Sequence, residues 1–394
     1  MVSCSFRRGS PWSKIDRVKD QDLVIVGGGI AGGALATVMA RAGATVLLLE
    51  RQLAYRDHVR GEILWPWGVR VARVLGIEQV LLEGGGRLLR WLHTYDEGVP
   101  SPTKDDIGAI LDGIDGSLNI SHPIACEALV TAATSAGAEI RRGVRDVNVT
   151  PAAQPVVRWV DGDGTQRETR CNLIVGADGR RSTVRSQAGI AFQVDRPAHL
   201  IAGMLAEGIA GIDTVNVIAR ESDLLFFAFP QGGGRARLYL CFPAHEQTRF
   251  AGHDGPRRFL RECALSCLEG VAQWDTARVA GPCATFPGED SRAPHPLADG
   301  VVLVGDAAGY ENPLEGQGLS MALQDVHDVS AALLSRSSTT NDLGTYAVNR
   351  IRRQTRKFRS SAPGLGQRRV RSPGPCGARG SLRPHPRRPR ACCS

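Results

Sequence analysis

The stretch VIVGGGIAGGALATVMARAGATVLLLER, Val24 to Arg51, decides the fold. Val24, Ile25 and Val26 are β-branched and apolar, as a strand covered on both faces requires, and glycines follow at once. Gly27, Gly29 and Gly32 hold the G-x-G-x-x-G positions, with Ile30 and Ala31 between the last two. In that spacing the first glycine permits a tight turn, the second lets a pyrophosphate reach the backbone, and the third lets helix and strand pack closely. The amides at the start of the helix suit the phosphates. Glu50 closes the second strand 18 residues after Gly32, where a carboxylate can accept bonds from a ribose diol, and Arg51 adjoins it. The unit predicts a dinucleotide, but it is shared by NAD and FAD sites.

The 394 residues, 42% hydrophobic, suffice for a large core in two or three domains. The formal charge of +8 resides in the tail: residues 361–394 carry eight arginines and no acid, which leaves residues 1–360 with 40 basic and 40 acidic groups. A neutral body argues against nucleic acid as a partner. The N-terminus lacks the apolar core of a secretory signal, so a cytoplasmic location is expected. Leu23 to Ala40 is uncharged, but its glycines fit strand, turn and helix better than a membrane span. The ten cysteines include no C-x-x-C pair, and Cys263 and Cys267 read as reduced core residues.

Residues 1–20 read as a polar leader without structure. Residues 58–82 read as helical, with Val69, Val71, Ala72, Val74 and Leu75 as an apolar stripe. His122 to Val149 reads as a helix broken at Gly137 and followed by two short strands. Between Ala198 and Pro243 four strand-like segments, the last two joined by QGGG, predict an antiparallel sheet. A helix is expected over 256–269, a strand at Gly300 to Val304, and a long helix from about Gly316 to Ser335. The fold class is therefore α/β: a Rossmann-like cofactor domain with a parallel sheet (residues 21–85, 118–190 and 290–360), interrupted by an antiparallel substrate domain (86–117 and 191–289). Residues 361–394 form a basic tail whose composition is either that of a disordered segment or a C-terminal artefact.

Two further segments separate FAD from NAD. GADGRRSTVR, Gly176 to Arg185, follows a buried strand and places Asp178 and Gly179 in a turn with a basic flank. GDAAGYENPLEGQGLSMALQD, Gly305 to Asp325, supplies Asp306, then a loop with Pro313, then Gly316, Gln317 and Gly318 at a helix start. An acid at a strand end can hold a polyol hydroxyl, and helix N-terminal amides can stabilise negative charge on a reduced ring. FAD has such a polyol and NAD does not.

These three ordered motifs, spread over residues 24–325, resemble those of the FAD-dependent aromatic hydroxylases, the single-component flavoprotein monooxygenases of the p-hydroxybenzoate hydroxylase type. The resemblance implies Glu50 on the adenosine ribose, Asp306 on the ribityl chain, and the Asp178–Gly179 turn near both FAD and a transient NADPH or NADH. Arg60, in HVRGE, matches an arginine on a helix of that family facing flavin and pyrophosphate. Pro313 and Leu314 then place backbone beside the flavin. His122 stands where the family often has an arginine, and the WPWG at Trp65 to Gly68 reads as core or pocket wall. The implied chemistry needs no catalytic triad: NAD(P)H reduces the flavin, and O2 supplies one atom to a small, aromatic or polyketide-like substrate. Two other readings share these motifs, a flavin-dependent reductase of the geranylgeranyl reductase type and a non-catalytic FAD-binding protein. Neither oligomeric state nor regiochemistry follows from the residues.

Overall fold

The computed structural model describes residues 16–274, 276–335 and 341–355; the basic tail and the first fifteen residues of the leader lie outside the described residues. Within the expected leader, Asp16–Arg17 pair in parallel with Arg167 and Glu168. The pairing is fixed by Val18 N donating to Glu168 O at 2.8 Å.

β1 (Gln21–Val26) runs through the glycine turn into α1 (Ile30–Arg41) and back to β2 (Val46–Glu50). α2 (Pro66–Val74) and α3 (Glu78–Glu83) follow, and β3 (Trp91–Asp96) and β4 (Thr103–Asp106) then leave for a second sheet. The chain returns with α4 (His122–Ser135) and β5 (Glu139–Arg142). An antiparallel meander of β6 (Arg145–Thr150), β7 (Val156–Val160) and β8 (Gln166–Gly176) precedes α5 (Thr183–Gln187). β8 serves two sheets in turn, pairing β7 over its first half and β1 in parallel over its second.

The second sheet is built from β9 (His199–Glu207), β10 (Val215–Glu221), β11 (Leu224–Gly232) and β12 (Arg235–Pro243), and α6 (Gly255–Glu262) covers one face. β13 (Val301–Leu303), α7 (Gly318–Leu334) and α8 (Asn341–Thr355) complete the cofactor unit. Its parallel order is β13-β8-β1-β2-β5, the layout expected of a Rossmann-like sheet. Val24, Ile25, Leu47 and Leu48 are wholly buried at its centre, which is why these strands carry no polar face.

Three further expectations need correction. Residues 58–65 are not helical, because Asp57 caps the Val59 amide at 2.8 Å, Val59 takes a φ of 54°, and Pro66 then starts α2. The same stretch breaks again at Gly76 before α3. The helix expected over 256–269 ends at Glu262; the Glu221 carboxylate accepts bonds from the Ser266 hydroxyl and the Cys267 amide and draws that chain into a short turn. The second sheet, in order β9-β12-β11-β10-β3-β4, is antiparallel except that β3 runs parallel to β10. β3 arrives from a separate insertion and no hairpin forces its direction.

Alternation along β11 and β12 gives the second sheet two distinct faces. Phe226, Ala228, Leu238 and Phe242 face α6. Phe227, Phe229, Tyr239 and Cys241 face the opposite way, against Val59, Ile63, Trp65 and Leu314 of the cofactor unit. The apolar layer between the two units is therefore continuous from the sheet to the loops described next. No helix among the described residues is long and apolar enough to cross a membrane.

Candidate cofactor and substrate site

The three sequence motifs meet at the C-terminal ends of the parallel strands. Gly27 has a φ of 104°, and a Cβ there would lie 2.7 Å from the Ala177 carbonyl carbon and 2.9 Å from Asp178 Cα, so the first motif closes directly on the second. Gly32 packs back on the turn, 3.2 Å from the Ala177 side chain by the same construction. Ile30 and Ala31 are buried in the first turn of α1, and a Cβ at Gly305 in the third motif would lie 3.1 Å from Ala31 Cβ. Arg185 ties the second motif to the third by donating to Ala307 O at 2.8 Å.

Two helix N-termini at these motifs fit FAD. Gly29 is the N-cap of α1, with no side chain capping the helix and nothing within 4 Å of where its Cβ would stand, which leaves first-turn amides facing open space. Gly318 opens α7 in the same way, next to the buried Gln317 and again with no side-chain cap. Two helix N-termini left open in this way suit a diphosphate and an electron-rich ring.

Glu50 is 5% exposed; its carboxylate accepts from Gly28 N at 2.7 Å and Gln52 N at 2.8 Å, so a ribose would share oxygens already engaged in the turn. Tyr55, outside the sequence prediction, closes over this turn and donates to Gly28 O at 2.6 Å. Arg51 is exposed just beyond β2.

Asp178 Oδ2 caps α5 through Thr183 N at 2.6 Å and Val184 N at 3.1 Å, while its Oδ1 is buried without a partner among the described residues. Gly179 follows it in open space. Asp306 lines a small cavity with Gly318 and Arg350. Its side chain is 30% exposed, yet protein surrounds it closely enough that burial raises its pKa, with Arg60 pulling the other way.

Arg60 Nη1 stands 3.7 Å from Asp306 Oδ2, an ion pair joining the loop after β2 to the third motif. Contrary to expectation Arg60 is on no helix. It is carried instead by the Val59 turn, whose Cγ1 would lie 2.5 Å from a Cβ at Gly203 of β9, and its carbonyl accepts from the Tyr239 hydroxyl. A β-branched residue at positive φ is strained, so the sheet must hold it there.

The Pro313–Glu315 turn is capped by Asn312, whose Oδ1 accepts from Leu314 N at 3.2 Å and lies 3.0 Å from His199 Nε2. Beyond it Gly316 is held by Trp65, whose Nε1 donates to Glu315 O at 3.1 Å, and Trp67 Nε1 donates to Gln317 Oε1 at 2.7 Å. The tryptophans of WPWG thus act as indole donors to the loop of the third motif; Trp65 precedes α2 as its N-cap.

Sequence reasoning passed over the support behind the third motif. Asp325 of α7 and Arg350 of α8 are buried together; Asp325 Oδ2 accepts from Gly305 N at 2.9 Å, and Arg350 Nη2 donates to Gly305 O at 3.0 Å and Gly309 O at 2.9 Å. The signal was present, since Asp325 recurs with Met321 and Val329 on the apolar face of α7. An acid at a core position demands a buried cation.

The family model described as an FAD binding domain matches residues 20–360. The chain belongs to the FAD-binding monooxygenase family. Among curated members, the rifampicin monooxygenase of Streptomyces venezuelae is 27% identical over 340 residues, spanning 84% of this chain and 68% of that protein. The salicylate hydroxylase of Pseudomonas putida is 28% identical over 353 residues, spanning 82% and 79%. Among solved structures, the p-nitrophenol 4-monooxygenase PnpA of Pseudomonas putida superposes with a TM-score of 0.73 at 19% identity over 87% of each chain. PqsL of Pseudomonas aeruginosa gives 0.70 at 22% identity over 86% of this chain and 93% of its own. These two likenesses concern the fold. Membership makes the protein an oxidoreductase with FAD as its cofactor.

Proposed function

We propose that this protein uses NAD(P)H and O2 to hydroxylate or epoxidise a small aromatic or polyketide-like molecule bound between the second sheet and the flavin. The observation that carries the reading is the Arg60–Asp306 pair, which sets the third motif against an apolar sheet face. In this reading the first-turn amides of α1, at Gly29 to Gly32, hold the pyrophosphate, and Glu50 and Arg51 flank the adenosine. Asp306 accepts from a ribityl hydroxyl, with Arg60 countering the effect of burial on its carboxylate. The Asp178–Gly179 turn faces the cofactor from the second motif. Pro313, Gly316, Gln317 and Gly318 offer backbone at the ring end, where the α7 N-terminus favours negative charge.

When bound, FAD supplies the redox chemistry: it takes hydride from NAD(P)H and activates oxygen. The protein's own part is to orient and to keep water out. Phe227, Phe229, Tyr239, Trp65 and Leu314 form a dry wall, which protects a reactive centre from water.

The test is direct. Purified protein is expected to be yellow, and NADPH oxidation should rise on adding a substrate, consume O2 and yield a product one oxygen heavier. Coupled reduction of a double bond without O2 would overturn the reading in favour of a reductase. A bound flavin that NADPH never reduces with any candidate substrate would leave only a binding protein.

A further inference from the structure

The sheet face that looks toward the cofactor loops carries an apolar patch of Phe227, Phe229 and Tyr239, with one guanidinium beside it; two other polar groups of that face, His199 and the buried Asn216, bond to Asn312 and to Asn119 and Ser117 respectively. Arg237 of β12 is 1% exposed and lies two residues from Tyr239 on that face. Its Nε and Nη2 donate to Glu62 at 3.0 Å each, and Nη2 also donates to Asp57 Oδ2 at 2.7 Å. Glu62 is wholly buried and accepts in addition from His122 N at 3.1 Å and from the Gln231 amide. One cation thus meets two carboxylates. The His122 ring beside them is driven neutral, since burial pulls its pKa down to about 3. Burial raises the pKa of Glu62, and the Arg237 guanidinium and the His122 amide pull it back down.

One part of this cluster is unsatisfied: Arg237 Nη1 is buried and has no partner among the described residues. A buried donor without an acceptor is costly, so the position calls for an oxygen from outside the chain. An anionic oxygen would meet Asp57 and Glu62, and Arg60, the other arginine near His122, is already paired with Asp306, whereas a neutral oxygen meets no such repulsion. Size and shape are left to the apolar wall of Phe227, Phe229 and Trp65.

We propose that Arg237 Nη1, held in the Asp57–Arg237–Glu62 cluster, is the polar recognition point for substrate, and that it takes an uncharged oxygen, a phenol hydroxyl or a ketone or quinone carbonyl, and rejects carboxylates. The proposal rests on the monooxygenase reading and names the substrate class for that same site. Glu62 and Asp57 are then specificity residues that cancel the charge of Arg237 while orienting it.

The test uses the FAD-loaded protein and the change in flavin absorbance on binding, with 2-naphthol and 2-naphthoate as a matched pair. The naphthol should bind at least about tenfold more tightly than the naphthoate. Asp57→Asn, at a partly exposed side chain, and Glu62→Gln, isosteric at the buried one, each remove one negative charge. Either should tighten naphthoate binding by about fivefold or more while moving naphthol by less than about twofold. Naphthoate binding as well as naphthol in the unaltered protein, an unchanged ratio in both variants, or no spectral change with naphthol at all would each overturn the proposal. A protein that holds no FAD refutes the monooxygenase reading instead, so the two failures are told apart.

Discussion

Replacing Arg350 by methionine separates the packing of α8 from the chemistry it supports. Arg350 is 2% exposed, and its partner Asp325 is wholly buried. The substitution keeps the length of the stem but removes the donors to Asp325, Gly305 O and Gly309 O. Removing one partner of a buried ion pair costs about 3–5 kcal/mol, because the remaining charge is stranded. Here Arg353 Nη2, still 3.1 Å from Asp325 Oδ1, offsets part of that, while two buried carbonyls lose a donor at about 1 kcal/mol each. The net expectation is a loss of about 3–4 kcal/mol, from a total stability of about 5–15 kcal/mol, so the variant still folds.

Urea unfolding should show a lower midpoint with an unchanged slope, and FAD titration should show weaker binding because the Gly305–Asp306 turn has lost its backing. The double variant Arg350→Met, Asp325→Leu should recover about half the stability, since no charge is stranded, although Gly305 N then lacks its acceptor. A single variant that loses under about 1 kcal/mol would refute the argument from burial. One that loses stability yet binds FAD unchanged would refute the link from α8 to the cofactor loop.

Three other outcomes follow from the same geometry. Gly27→Ala places a methyl against the Ala177 carbonyl at a φ of 104°, and should abolish FAD retention on gel filtration or leave the protein insoluble. Asp306→Ala should weaken FAD binding by about tenfold to a hundredfold by calorimetry, with little loss of stability, since the carboxylate is held above its ordinary pKa by burial and its removal relieves that cost. Glu311 has its pKa raised by burial from 4.5 to about 7. The unfolded chain therefore holds fewer protons between those values, and the contribution of Glu311 to stability falls as pH rises from about 4.5 to 7. Glu311→Gln should flatten that decline and add about 1–3 kcal/mol at pH 8, measured by denaturation at pH 5 and pH 8.

Local physics accounts for what could be read in advance. The strand, turn and helix of residues 24–51 form because a run of β-branched residues, a glycine turn and a small-residue helix leave one compact option. The four strands of residues 199–243 likewise follow from alternation and a glycine turn. Arg60 failed as a helical residue because its conformation is set by a tertiary notch: Gly203 of β9 and the Tyr239 ring receive Val59, and the Asp57 cap completes the turn. The pairing of Asp325 with Arg350 has no local signature beyond charges on apolar helix faces, since 25 residues separate them.

By itself, then, the sequence determined the cofactor class, the parallel sheet that presents its loops, and the family, all of which depend on residues close together in the chain. The tertiary structure alone decided that Arg60 meets Asp306, that Trp65 and Trp67 brace the turn at Pro313 to Gln317, and that Arg237 is cancelled by two carboxylates. These are pairings across 175 to 250 residues, and a buried charge finds its partner only when the sheets have closed around it.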